Sequence, residues 1–476
     1  MSRKTKHFTD DDNLIVKIES IGFEGISIAR NENLVYFVKQ GIPGDTALIK
    51  PIKKKKNHIE AEIVEIINKS EIRATPECKY FGVCGGCSWQ NLIYSEQAKW
   101  KRQQIMDCFQ RIAKFENPLI ENTIESPKIF EYRNKMEFSF APSRWLSIKE
   151  IQSEEPIINK NFGLGLHIPN LYQKVLDIDD CKLFDSRGLT ILNRIRVKAI
   201  ELNLEPYNIV KNEGFLRNLV IRKSVSTDDF MVILICNDFY SPNQRTFYEW
   251  FCTDLINEFP YVTSLIYAIN PSHSPVAVGE IAFVGGKDYI SEEILGIKYK
   301  ISPFSFFQTN TYQLVNFLKI ILNFANISKN ETIWDLYCGT GSISLVAANQ
   351  SKKIIGIELV ESSVNDAKSN AILNMINNVE FFAMDLHSKK FNELVNDIDK
   401  PDTIILDPPR AGLHKNLISS IISLSPNKIV YVSCNPATQA RDCELFSEHY
   451  NLIKIQPVDM FPHTFHIESI ALLEKK

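Results

Sequence analysis

From about residue 300 onward the chain repeats one pattern: a short apolar run, a turn, then a helix-like stretch. Trp334-Asp335-Leu336 runs into Tyr337-Cys338-Gly339-Thr340-Gly341-Ser342, and Ile354-Ile355-Gly356-Ile357-Glu358 follows. Val379 to Asp385 is the third run, Thr403 to Asp407 the fourth, and Ile429 to Ser433 the fifth. Short apolar runs bounded by turns read as strands buried on both faces. Strands separated by helical stretches are joined by crossovers and lie parallel. Leu452 to Val458 and Ile467 to Leu473 then close the sheet. The expected product is a doubly wound α/β unit over residues 291–476, with its chemistry at the carboxyl ends of the strands.

Those ends carry acids in series: Asp335, Glu358, Asp385 and Asp407. The Cys-Gly-Thr-Gly turn lets a ligand approach the backbone, but it lacks the three-glycine dinucleotide fingerprint. Glu358 follows the turn at about the spacing from which an acid reaches ribose hydroxyls. The ordered series resembles a class I S-adenosylmethionine-dependent methyltransferase. The fifth run delivers Cys434 and stops at once at Asn435-Pro436. An isolated strand cysteine is usually an inert buried thiol, but a thiolate is also what difficult ring chemistry needs. Pyrimidine C5 is a poor nucleophile until a thiolate adds to C6, and the adduct must then lose its C5 proton to a base. Glu468, at the start of the last run, is the candidate base, because a carboxylate entering a buried strand is costly unless used or paired.

The preceding residues read differently. Residues 10–68 hold several short strand-like runs punctuated by Gly22, Gly25 and Gly41-Ile42-Pro43-Gly44, as in a small oligonucleotide-binding barrel. Lys50 and Lys53-Lys54-Lys55-Lys56 offer phosphate contacts or a solvated loop. Residues 69–290 form an α+β unit, with a helix expected over Trp89–Lys114 and a loop over Ser143–Pro156. Tyr132-Arg133-Asn134-Lys135 and Arg217 to Arg222 set basic side chains beside strands, facing phosphate or plain surface. Cys78, Cys84 and Cys87 follow a C-x5-C-x2-C spacing, and Cys181 is the best fourth partner. The set suits zinc or an iron–sulfur cluster, and spacing does not choose between them.

A formal net charge of −3 over 476 residues confines any nucleic-acid footprint to local patches. The first thirteen residues carry no apolar signal core, and no run of apolar residues is long enough to span a membrane. The ten cysteines therefore read as reduced thiols, metal ligands or catalysts of a cytoplasmic protein with no membrane partner.

Taken together, these motifs resemble the RNA uracil-5-methyltransferase family, specifically its 23S ribosomal RNA members. The matching residues are the four cysteines, Ser305-Phe306-Phe307-Gln308-Thr309-Asn310, the Asp335 to Gly341 turn, Asp407-Pro408-Pro409-Arg410, Val432 to Pro436, and Asp459 to Glu468. The resemblance implies an N-terminal TRAM barrel that binds RNA, a central domain with a [4Fe–4S] cluster on Cys78, Cys84, Cys87 and Cys181, and a C-terminal methyltransferase domain. It implies Cys434 as nucleophile and Glu468 as base, with Gln308, Tyr337, Ser342, Glu358, Asp385 and Asp407 around S-adenosylmethionine. It further implies a monomer whose target uridine is flipped out of its stack, with Phe304, Phe306, Phe307 and Phe461 able to stack on it or to pack the core. Transfer RNA is the alternative substrate, and a non-catalytic iron–sulfur RNA-binding protein is the alternative from another class.

Overall fold

The computed structural model describes residues 8–9, 12–169 and 171–476, so residues 10 and 11 of the expected barrel lie outside it. Strands β1 (Leu14–Ile21), β2 (Ser27–Asn31), β3 (Leu34–Lys39), β4 (Thr46–Lys54) and β5 (Ile59–Asn68) close into a barrel in the order β1-β2-β3-β5-β4. Alternate residues point inward: Val16 and Ile18, Tyr36 and Val38, Ala47 and Ile49, Ile59 and Ala61. Closure leaves no free sheet edge. Asp45, fully buried, receives the Arg73 guanidinium at 2.5 Å and ties the barrel to the segment that follows.

The middle of the chain forms a seven-stranded sheet. Its strands are β6 (Lys135–Ala141), β7 (Gly163–Ile168), β8 (Leu171–Asp177), β9 (Leu216–Lys223), β10 (Phe230–Cys236), β11 (Val262–Ile269) and β12 (Glu280–Gly286), in the order β12-β11-β10-β9-β6-β7-β8. Strand β10 is buried along its whole length and divides by parity. Phe230, Val232, Leu234 and Cys236 pack under the helices Ser186–Glu201 and Pro242–Thr253. Met231, Ile233 and Ile235 face the other way, into a core shared with the C-terminal unit. The Ser143–Pro156 stretch expected as loop contains a short helix, Ile148–Gln152, started by a Ser147–Glu150 capping box.

The hairpin β13 (Ile290–Ile294) and β14 (Ile297–Ile301) leads to the last sheet. Its strands are β15 (Thr332–Leu336), β16 (Lys353–Glu358), β17 (Val379–Ala383), β18 (Thr403–Leu406), β19 (Lys428–Ser433), β20 (Tyr450–Val458) and β21 (Glu468–Lys475). The order is β17-β16-β15-β18-β19-β21-β20, with the five earlier strands parallel and β21 inserted antiparallel between β19 and β20. The strand order reverses between β15 and β18, so a crevice opens at their carboxyl ends. The helix Tyr94–Arg111 is shorter than the expected span and packs Ile105, Cys108 and Phe109 into the core of this last sheet.

One basic motif, Arg217 to Arg222, is internal, which corrects its reading as phosphate contacts or surface. Arg217 is buried and donates to the carbonyls of Asn270, Ser272 and Ser274, holding a loop. Arg222, also buried, donates to the Ser305 carbonyl. Among the described residues no helix is long and apolar enough to cross a membrane.

Candidate active site

The β19–β21 ladder pairs Ser433 with Ser469. Continued by one residue, this antiparallel register sets Cys434 opposite Glu468. The parallel neighbour β18 ends one residue before Asp407, whose N–H reaches the Leu336 carbonyl at 3.3 Å. A thiol and two carboxyls are thus collected at adjacent strand ends. At this proximity the groups act on one another's charge. Burial, then Glu468, pushes the Cys434 thiol up to about 11, while Arg410 pulls the other way. Burial raises the Asp407 carboxyl to about 7. Burial and then Asp407 hold Glu468 well above the usual carboxylate range, again opposed by Arg410.

Arg410 is the cation of this cluster. The Asn435 side chain and the Thr438 hydroxyl hold its carbonyl, at 3.0 and 3.2 Å, and its guanidinium meets His466 Nδ1 at 3.4 Å. Burial and the nearby Arg410 push His466 down to about 4, so its ring is neutral. Cys434, Arg410 and His466 line a pocket of about 100 Å³, and Phe23 and Glu24 of the barrel form part of its wall.

The glycine turn lies one strand over. Tyr337 takes a positive φ of 68°, and Gly339 follows at 53° with open space where a Cβ would stand. The Gly339 and Val360 N–H groups fix the Glu358 carboxylate at 3.2 and 2.9 Å. The Met384 N–H binds the Glu358 carbonyl at 2.7 Å, which brings Asp385 to the same rim. Asp335, below the turn, accepts from the Ser344 hydroxyl at 2.5 Å, and its other oxygen is buried without a partner. Ser342 opens the helix Ser342–Ala348 without capping it by side chain; its carbonyl accepts from Tyr299. Gln308 is placed from elsewhere: its carbonyl accepts from Asn134 at 2.8 Å, on the segment entering the helix Thr311–Ala325. Of the four phenylalanines, Phe307 is buried, Phe304 and Phe461 lean on the core, and Phe306 is 63% exposed.

The loop from Asp459 to Ile467, which delivers Glu468, is held from a distance. Lys101 and Asp459 form an ion pair at 2.5 Å with both side chains fully buried, and Lys101 also donates to the Phe461 carbonyl. The His463 carbonyl accepts from the N–H groups of Ser88 and Trp89, at 2.8 and 3.0 Å. Those residues directly follow Cys87. Gln97 binds both the N–H and the ring of His463. Neither Lys101 nor Gln97 carries any sequence signal of this role, since both sit in an ordinary amphipathic helix.

Cys78, Cys84, Cys87 and Cys181 line one cavity together with Arg133. Burial raises Cys84, lifts Cys181 to about 11 and lifts Cys87 to about 12. Among the described residues no group of three or more His, Cys, Asp or Glu is drawn together closely enough to hold a metal ion.

The sheet order, the acids around an open glycine turn and the thiol–carboxyl pair define an α/β transferase of the methyltransferase type. The tRNA (uracil-5-)-methyltransferase family matches residues 281–476. An uncharacterized RNA methyltransferase of Bacteroides thetaiotaomicron is 42% identical over 452 residues, covering 95% of this chain and 99% of that one. A second, from Porphyromonas gingivalis, is 38% identical over 469 residues, covering 96% and 99%. Among solved structures, the Pyrococcus abyssi tRNA (uracil-54, C5)-methyltransferase in complex with S-adenosyl-L-homocysteine superposes with a TM-score of 0.73 at 28% identity, over 97% of this chain and 100% of that one. The chain belongs to the RNA uracil-5-methyltransferase family.

Proposed function

We propose that the protein methylates C5 of a specific uridine in 23S ribosomal RNA through a covalent adduct on Cys434. The observation that carries this reading is the opposition of Cys434 and Glu468 across a strand pair, with Arg410 against the thiol. The Arg410 guanidinium favours the thiolate, which bonds to C6 of the uracil and turns C5 into an enolate-type carbon. S-adenosylmethionine supplies the methyl group to that carbon. Glu468 then takes the C5 proton, the C5–C6 double bond reforms, and the Cys434 sulfur leaves with its electron pair. Tyr337, Glu358 and Asp385 at the open turn, with Ser342, Asp407 and Gln308, would hold the donor. The Pyrococcus abyssi relative, named as a complex with the demethylated donor, supports that choice.

RNA that carries 5-fluorouridine at the target cannot release its C5 substituent. It should trap a protein–RNA adduct, which Cys434→Ala abolishes, whereas Glu468→Gln acting on normal RNA should accumulate a methylated adduct. Normal turnover by Glu468→Gln would remove it as the base. Transfer RNA is the second reading, favoured by the name of the same relative. Mapping 5-methyluridine in ribosomal and transfer RNA from a deletion strain decides between them.

The barrel would grip the RNA as a TRAM domain, and the four cysteines would carry a [4Fe–4S] cluster. Their convergence on one cavity supports this. Cys78, Cys84, Cys87 and Cys181 would hold such a cluster by their thiolates, the four-cysteine ligand set it takes. Anaerobic purification should yield brown protein with about four irons per chain; colourless protein with zinc would overturn the assignment.

A further inference from the structure

The pocket at Cys434 does not end there. It shares Phe23, Glu24 and Gln104 with a much larger groove, about 1110 Å³, between the barrel and the helix Tyr94–Arg111. The helix lines this groove with Lys99, Trp100, Gln103 and Gln104, with Glu96, Asp107 and Arg111 also in its wall, a face at helical spacing that leaves Ile105 and Phe109 for the core behind it. The barrel supplies Phe23, 47% exposed, and Phe37, whose outer face stacks on His58 at 4.0 Å. His58 closes the turn that follows β4; the last residues of that strand are Lys53 and Lys54, and the turn carries Lys55 and Lys56. The groove therefore runs from Phe37 and Arg30 of the barrel, past Trp100 and Phe23, to the pocket at the thiol.

Gln104 stands at the junction. It is 5% exposed, and its side-chain nitrogen is buried without a hydrogen-bond partner. A buried amide donor left unpaired is costly, and one that lines a cleft calls for a partner there. On the reading above, in which Cys434 attacks a uridine in RNA, we propose that the nucleotides flanking that uridine lie in this groove as a single strand. Trp100 and Phe23 stack on their bases, and the Gln104 amide donates to an acceptor oxygen of the nucleotide beside Cys434. Aromatic faces suit any base, so the groove selects for unpaired strand and Gln104 for what is seated at the junction.

The test uses the full-length, metal-loaded protein and a fluorescent twelve-residue oligouridylate, single-stranded or annealed to oligoadenylate. Anisotropy should show the single strand bound more tightly than the duplex. Trp100→Ala should weaken single-strand binding about tenfold, with Trp100→Phe restoring most of it. Gln104→Leu should raise KM for methyl transfer several-fold with little change in kcat, and 4-thiouridine in the probe should crosslink to the peptides bearing Phe23 and Trp100. Equal affinity for strand and duplex, unchanged binding by Trp100→Ala, or crosslinks outside the groove would overturn the assignment. Adduct formation by the wild-type protein tests the functional reading separately: no adduct with crosslinks in the groove rejects that reading and keeps the strand path.

Discussion

Cys434 rests as a thiol, because burial and Glu468 hold it at about 11. Its alkylation by iodoacetamide, followed by peptide mass spectrometry, should quicken about tenfold per pH unit from pH 7 toward pH 10. Arg410→Gln should move the midpoint up and Glu468→Gln should move it down, the opposite signs of their charges. Asp335 makes a stability prediction. Burial raises its carboxyl from the ordinary 3.8 to about 7 in the fold. The unfolded chain therefore gives up this proton first, and stability falls as pH rises through that interval. Asp335→Asn should stabilise the protein at pH 8 by up to about 4 kcal/mol, a gain that vanishes near pH 4 in thermal melts. At this scale the sequence exposed the residue types well. Cys434 and Glu468 stand out by local pattern, a thiol and an acid at strand ends. That they face each other depends on the pairing of β19 with β21, which no local pattern records. Gln104 gave no signal, because an unpaired amide becomes visible only when its surroundings are known.

Among the elements, three strands of the middle sheet carry little local signal. Strands β7, β8 and β12 contain glycines or alternate weakly, and β12 lies largely exposed, so no apolar period marks them. The parallel strands of the last sheet were legible because burial on both faces makes them continuously apolar. The helix Tyr94–Arg111 was legible as a helix but not as a part of the C-terminal core. Its Lys101 makes a prediction. Lys101→Met leaves Asp459 as an uncompensated buried charge and should cost about 3–5 kcal/mol in urea unfolding. Adding Asp459→Leu should recover much of that loss while leaving the loop before Glu468 less ordered.

Over the whole molecule, the cysteine cavity and the Cys434–Glu468 pair are joined by short links. The N–H groups just after Cys87 hold the His463 carbonyl, five residues before Glu468. If the proposed cluster sits on these cysteines, removing it from purified protein should raise hydrogen–deuterium exchange across residues 459–468, with less effect in the barrel interior. The succession of a small barrel and an α/β sheet was legible from composition and motif order; the way the parts touch was not, since it rests on contacts hundreds of residues apart. One of these is small. Gly25, at a φ of 75°, sets its bare α-carbon where a Cβ would stand 2.7 Å from Phe465 and 3.0 Å from the Trp89 ring. Nothing larger than hydrogen fits at this seam. Heat should then melt the barrel and the catalytic sheet as a single calorimetric peak, and an alanine at this one position should split that peak in two.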